Sequence, residues 1–104
     1  MRGATNLTGA LIVVCLGLPA GAIAADVQAG RAKALQCQTC HGMDGKSKLP
    51  EAPHLAGQVE SYLVKSLKAY KTGARKDEMM NLMAKPLSDA DIANLAAFYS
   101  SLKP

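Results

Sequence analysis

The C-terminal segment has the most regular hydrophobic pattern in the chain. Apolar residues recur there at steps of three and four, which places them on one face of a helix. Ser88 precedes the segment and can cap its first turn, with Asp91 in the acidic position of a capping box. We therefore predict a helix that begins after Ser88 and packs through one apolar face, which consists of Ile92, Leu95, Ala96, Tyr99 and Leu102.

A second helix is predicted over residues 59–72, with Gly73 as its stop. Its apolar stripe consists of Tyr62, Leu63, Leu67 and Tyr70. Its lysines follow each other at three-residue steps along another side, which we expect to face solvent. These lysines are Lys65, Lys68 and Lys71.

The remaining segments complete an all-α pattern. A first helix is predicted from the capping residue Asp26 past Leu35 towards a pair of cysteines. Residues 42–57, rich in glycine and proline, predict a long loop, and residues 79–83 allow at most a short helix. No segment alternates apolar and polar residues with a period of two. We predict three to four helices joined by loops.

The N-terminus has the pattern of an export signal. Arg2 gives a basic start, residues 11–18 are uncharged and mostly apolar, and Ala22-Ile23-Ala24 places small residues where signal peptidase requires them. A retained membrane anchor is the alternative, but the apolar run is shorter than the roughly 20 residues of a bilayer span. We predict that residues 1–24 are cleaved, with a cut after Ala25 as second choice, and that residues 25–104 form one domain.

The size and charge of the mature chain restrict its function. Its 104 − 24 = 80 residues bury little apolar surface, so a disulfide, a metal or a large cofactor should help the fold. Loss of Arg2 lowers the net charge from +4 to 11 − 8 = +3, which favours partners with acidic surfaces. No basic run alternates with aromatic residues, so nucleic acid is not an expected partner. Stable membrane insertion is not expected after cleavage.

Cys37-Gln38-Thr39-Cys40-His41 is a C-x-x-C-H motif, the attachment sequence of haem c. Positions i, i+3 and i+4 share one side of a helical turn. Both sulfurs can therefore bond to one porphyrin edge while the imidazole of His41 reaches the iron. Export agrees with this interpretation, because haem c is attached outside the cytoplasm. The motif predicts one covalent haem c per chain, held by Cys37 and Cys40, with His41 as proximal iron ligand.

Three other kinds of site could use the same residues. A zinc site would need His54 to join the motif, and the usual second pair of ligands is missing. A thioredoxin-like dithiol would need a surrounding βαβ pattern, which the sequence does not show. A disulfide between Cys37 and Cys40 would close a very short loop and restrict the unfolded chain little. Haem attachment is therefore the preferred interpretation.

An electron-transferring haem usually has a second protein ligand, and a methionine thioether is the common partner of histidine. The candidates are Met79, Met80 and Met83, because Met43 is too close to the motif to cross to the other face of the haem. Methionine clusters also fill cores. Spacing alone therefore leaves all three open.

The sequence resembles the class I cytochromes c, and most closely one half of the two-haem proteins called cytochrome c-four and related single-haem periplasmic cytochromes. One departure is that this chain has a single attachment motif, so we do not assign it the partners of the two-haem proteins. The similarity covers nearly the whole mature chain, in residues 37–42, 44–45, 53–58, 62–63, Gly73 with Arg75, Met80, 87–92 and 95–99.

The resemblance implies a cytochrome c fold, with helices and loops wrapped around one covalently bound haem. In that family the distal methionine stands eight residues before the serine that opens the last helix. That position is Met80 here, with Met79 or Met83 as alternatives.

The resemblance also implies roles for loop residues. The carbonyl of Pro53 should accept a hydrogen bond from the far ring nitrogen of His41, which would orient the imidazole. Leu55 should pack on the haem face. Gly30 should lie where the first and last helices cross, beside Phe98 or Tyr99.

These features predict a periplasmic single-electron carrier that is not an enzyme in its own right and acts with redox partner proteins. The alternative is the electron-accepting cytochrome subunit of a dehydrogenase complex, such as a flavocytochrome c sulfide dehydrogenase. A gas-binding or peroxidatic haem is a third possibility, and it would require that no methionine ligates the iron.

Overall fold

The computed structural model describes residues 2–17 and 24–104, and within these ranges the chain forms helices and loops without a strand. The elements are α1 (Val27–Lys33), a 3₁₀ turn (Ala34–Gln36), α2 (Gln38–His41), α3 (Glu60–Thr72), α4 (Glu78–Ala84) and α5 (Asp89–Ser101). The all-α prediction is confirmed. The described part has five α-helices rather than three or four, because the C-x-x-C-H motif forms a one-turn helix of its own.

The predicted export signal falls partly outside the described residues. Ala22 and Ile23, which belong to the expected cleavage site, lie there, and the cut after Ala24 stays a prediction. In the described ranges, no helix combines the length and the apolar character that a membrane crossing requires.

Short polar side chains cap α1 and α5 where the sequence predicts them. Oδ1 of Asp26 accepts hydrogen bonds from the backbone N–H groups of Gln28 and Ala29 at 2.9 and 3.1 Å. Oγ of Ser88 accepts from the N–H of Asp91 at 3.0 Å, and the Asp91 carboxylate accepts from the N–H of Ser88 at 3.0 Å. These bonds satisfy N–H groups that have no partner inside the helix, so the ends of both helices are locally determined.

α1 and α5 cross in close contact at Gly30. A Cβ built on Gly30 would lie 1.9 Å from the carbonyl oxygen of Asn94 and 2.9 Å from Cβ of Phe98. The side-chain oxygen of Asn94 also accepts a hydrogen bond from the backbone N–H of Asp26 at 2.8 Å. The expected position of Gly30 beside Phe98 is confirmed, and a side chain there would force the two backbones apart.

The Gly30→Ala variant is expected to lower the free energy of unfolding of the mature protein by about 3 kcal/mol, because the new methyl group would meet a backbone carbonyl. The better helix propensity of Ala, about 1 kcal/mol, does not offset this. Denaturant unfolding measures the change. Ala32→Ser, at an exposed position of the same helix, is the control and should change stability by about 0.5 kcal/mol. Equal midpoints for G30A and the wild type would contradict the close crossing.

α5 supplies most of the core and packs against α1 and α3, while α4 packs on α3. Its predicted face is confirmed, with only Leu102 left half-buried. The residues that form the core are Ala34, Leu63, Ala84, Leu87, Ile92, Leu95, Ala96, Phe98 and Tyr99.

α3 differs in two places from the predicted pattern. Leu63 is buried, but Tyr62 in the same predicted stripe lies outside the core and is 48% exposed. Lys71, predicted to face solvent, is instead half-buried, and its Nζ donates a hydrogen bond to the carbonyl of Leu87. The spacing of residues along one helix cannot show that another segment brings an acceptor to it.

Candidate haem-attachment site

The C-x-x-C-H motif folds into a single tight turn behind α1. Cys37 stands at the N-terminal end of α2, and its carbonyl accepts hydrogen bonds from the N–H groups of Cys40 and His41 at 3.3 and 3.0 Å. This turn places the three side chains on one side of the backbone. Both cysteines are half-buried free thiols. The turn therefore has the geometry that attachment of one group through two sulfurs requires.

His41 is held in one orientation by the loop that follows it. Its ring is 7% exposed, and Nδ1 donates a hydrogen bond to the carbonyl oxygen of Pro53 at 2.9 Å. A carbonyl oxygen can only accept, so Nδ1 carries the proton and the neutral ring has its lone pair on Nε2. Such a bond is typical of histidine ligands to metals, because it fixes the ring and increases its basicity. His41 can therefore offer Nε2 to an iron.

The loop over residues 42–57 is fastened to the attachment turn by backbone bonds. The N–H of Lys48 donates to the carbonyl of Cys40 at 2.8 Å, and the N–H of Leu55 donates to the carbonyl of Gly45 at 2.7 Å. Gly45 has φ of 72°, and a Cβ there would lie 2.8 Å from the backbone nitrogen of Ala56. These contacts place Leu55 half-buried against the core beside the turn.

The alternative metal and redox sites find no support in the described residues. His54 is exposed, and its Nδ1 accepts a hydrogen bond from the N–H of Ser47 at 2.8 Å. Within residues 2–17 and 24–104, no group of three or more His, Cys, Asp or Glu side chains could hold a metal ion. Cys37 and Cys40 are not joined by a disulfide, and the βαβ surroundings of a thioredoxin-like dithiol are not formed in this part of the chain.

Cys37 packs against the part of the core that contains Tyr99, a residue for which the sequence predicts burial and no other role. Burial raises the pKa of the Cys37 thiol, and the nearby Tyr99 hydroxyl opposes this shift. Burial, together with Cys37, raises the pKa of Tyr99. Both groups therefore stay protonated at neutral pH. The one sequence signal for this contact is a tyrosine, rather than a phenylalanine, on the buried face of α5.

The three candidate methionine ligands lie together on α4. Met79 is 57% exposed, whereas Met80 and Met83 are half-buried. The carboxylate of Asp77 caps α4 by accepting a hydrogen bond from the backbone N–H of Met80 at 2.9 Å. The beginning of α4, and with it the position of Met80, is therefore fixed by a local cap.

Asn81 joins α4 to the end of α3. Its Nδ2 donates to the carbonyls of Tyr70 and Arg75, both at 2.8 Å, and its Oδ1 accepts from the N–H of Asp77 at 2.9 Å. The Arg75 guanidinium lies 4.7 Å from the centre of the Tyr70 ring. Nothing in the spacing of the sequence indicates these contacts of Asn81.

These side chains fit a covalently bound haem. Two free sulfurs on one turn can form two thioethers, and the Nε2 lone pair of His41 can ligate the iron. Within residues 25–104, several large apolar side chains are at least 43% exposed, and a porphyrin or a partner could cover this surface. These side chains are Leu35, Leu49, Val59, Tyr62, Met79 and Leu82.

Comparison with known proteins agrees with this site. Residues 27–103 match the family model described as cytochrome c. Cytochrome c-554(548) of Halomonas halodenitrificans is 48% identical, over 75% of this chain and 98% of its own length. A protein of Thiomonas intermedia named thiosulfate dehydrogenase electron acceptor is 41% identical and is matched over 48% of its length.

The similarity extends to solved structures. The crystal structure of reduced cytochrome c4 from Pseudomonas stutzeri superposes with a TM-score of 0.72 at 44% identity, covering 77% of this chain and 47% of that one. The chain thus spans nearly the whole of the Halomonas protein and about half of the other two. On the family match, the near full-length relative and the shared structure, the chain belongs to the cytochrome c family.

Proposed function

We propose that the chain is a periplasmic one-electron carrier with a single haem c. Cys37 and Cys40 hold the haem, and His41 and Met80 are its axial ligands. Residues 25–104 form the mature domain after cleavage of residues 1–24. The observation that carries the proposal is the attachment turn itself, in which two free thiols accompany an imidazole already oriented by Pro53.

The protein's contribution to electron transfer is a rigid ligand set. When bound, the haem supplies an iron that alternates between Fe(III) and Fe(II). The hydrogen bond from His41 to Pro53 holds the imidazole in one orientation, from which Nε2 could ligate the iron. Asn81 joins α4 to α3, and the Asp77 cap fixes the first turn of α4, so Met80 has a defined position from which it could ligate the iron. Electron transfer then needs little rearrangement of the ligands. It also needs no substrate-binding site, because only an electron is exchanged.

The net positive charge supports acidic surfaces on the redox partners. Lys65 and Lys68 on α3 are exposed and available to such surfaces, whereas Lys71 is engaged with the Leu87 carbonyl. Electrostatic attraction of this kind speeds encounter and weakens as salt is added.

Intact mass and optical spectra of the exported protein test the proposal. We expect a chain that begins at Ala25 and carries the mass of one haem, with a spectrum that changes reversibly between oxidised and reduced forms. The same protein expressed without its first 24 residues is the control and should lack the haem. A colourless protein with the mass of the bare mature chain, from a host that attaches haem c, would refute the proposal.

A second candidate function is the electron acceptor of a dehydrogenase. It is favoured by the Thiomonas intermedia relative, whose name describes an electron acceptor of thiosulfate dehydrogenase. Mixing the oxidised protein with thiosulfate and a thiosulfate dehydrogenase should then reduce the haem, whereas omitting either component should not. Size exclusion of native extract separates a free carrier, which elutes at the mass of one mature chain, from a subunit that elutes with its dehydrogenase.

A further inference from the structure

The hydroxyl of Tyr99 is the one buried polar side-chain atom without a hydrogen-bond partner in the described ranges. The residue is 3% exposed, and its ring packs edge-on against Phe98 with centroids 5.0 Å apart. Leaving a buried hydroxyl unpaired costs about 1–3 kcal/mol, and a phenylalanine would fill the same space without that cost. The hydroxyl therefore needs an explanation.

The Cys37 side chain packs against the core cluster that contains Tyr99. Cys37 also contributes to the raised pKa of the Tyr99 hydroxyl, in agreement with this packing. In the free-thiol form the pair does not have the geometry of a hydrogen bond. A thiol carries its own proton and competes as a donor, whereas a thioether sulfur can only accept. Attachment of the haem would thus turn Cys37 into a pure acceptor facing a donor that has no other partner.

α5 holds the Tyr99 backbone beside the attachment region by a second contact. The carbonyl of Tyr99 accepts a hydrogen bond from the N–H of Gly57 at 3.0 Å, at the end of the loop that contains Pro53. The backbone N–H of Cys37 is itself bonded to the carbonyl of Ala34 at 2.8 Å. Hydrogen bonds therefore anchor the backbone of both residues.

We infer that Tyr99 is a positioning residue. Its hydroxyl donates a hydrogen bond to the thioether sulfur of Cys37 and so orients the thioether at the haem edge. The inference rests on the covalent haem of the proposed function. A donor on the sulfur withdraws electron density from the attached macrocycle and so favours Fe(II).

The test is the Tyr99→Phe variant of the haem-containing protein, with Tyr70→Phe as matched control. Tyr70 is a half-buried tyrosine of α3, and the Arg75 guanidinium, beyond the end of that helix, lies over its ring. We expect Y99F to shift the carbon–sulfur stretching band in resonance Raman spectra. At a fixed applied potential, its Fe(III)/Fe(II) ratio should rise about twofold. Y70F should change neither quantity.

A second measurement needs no substitution. In the wild-type protein the same carbon–sulfur band should shift when the solvent is changed to D₂O, because the bonded proton exchanges. Unchanged bands in both experiments, or equal changes in Y99F and Y70F, would overturn the inference. Intact mass of the same samples separates the two proposals: a missing haem mass refutes the attached haem, whereas an attached haem with unchanged bands refutes only the role of Tyr99.

Discussion

Replacing Met80 with Ala is expected to remove the absorption band of the thioether-to-iron bond and to lower the reduction potential by on the order of 0.1 V. A neutral thioether favours Fe(II), and axial ligands change haem potentials over a range of about 0.8 V. The variant should also bind CO rapidly when reduced, because one axial position becomes open. Optical spectra, a redox titration and CO mixing measure the three effects.

Met79→Ala and Met83→Ala are the matched controls, since both residues lie on the same short helix α4. Each should keep the thioether band and bind CO slowly. If M80A retains the band while M79A or M83A loses it, the assignment of Met80 is wrong. If the wild-type protein itself lacks the band and binds CO rapidly, an open haem of the gas-binding or peroxidatic kind replaces the electron carrier.

The sequence predicts best those features of the fold that are determined over a few residues. Asp26 and Ser88 cap their helices through bonds to residues at most three positions away, so both caps could be recognised from residue type and spacing. The same is true of Gly73, which ends α3 with φ of 80°. The attachment turn is also determined locally, because its two cysteines and its histidine are spaced as residues on one side of a helical turn.

Features that depend on contacts between distant segments could not be predicted in this way. Asn94 reaches the backbone of Asp26 across 68 positions, and Asn81 links α4 to α3. Periodicity identifies the buried face of α5 but not the neighbour of each residue on that face. The pattern therefore predicts Tyr99 in the core, but it does not predict that Cys37 packs against the same part of the core.

The bond from His41 to Pro53 lies between these two cases. The residues are 12 positions apart, joined by a loop without regular periodicity, so spacing alone does not bring them together. The resemblance to class I cytochromes c implied the contact, and the structure supplies its physical basis. Gly45 adopts a positive φ and lets Ala56 approach, which folds the loop back over the turn.

Replacing both Cys37 and Cys40 with Ala is expected to abolish haem attachment and to leave the mature chain largely unfolded. The 80 residues after the predicted cleavage site bury few large side chains completely, of which Ile92 and Leu95 are the largest. A domain of this size is marginal without an added core. Circular dichroism should show most of the helical signal lost, and thermal melting should lack a cooperative transition.

Cys15→Ala is the control for this experiment, because Cys15 precedes the predicted cut and its substitution should leave the mature protein unchanged. The single variants C37A and C40A should each keep one thioether and melt at a lower temperature than the wild type, since His41 still ligates the iron. A double variant that is helical and melts cooperatively would mean that α1, α3 and α5 form a sufficient core alone. The fold would then not depend on the haem for its hydrophobic core.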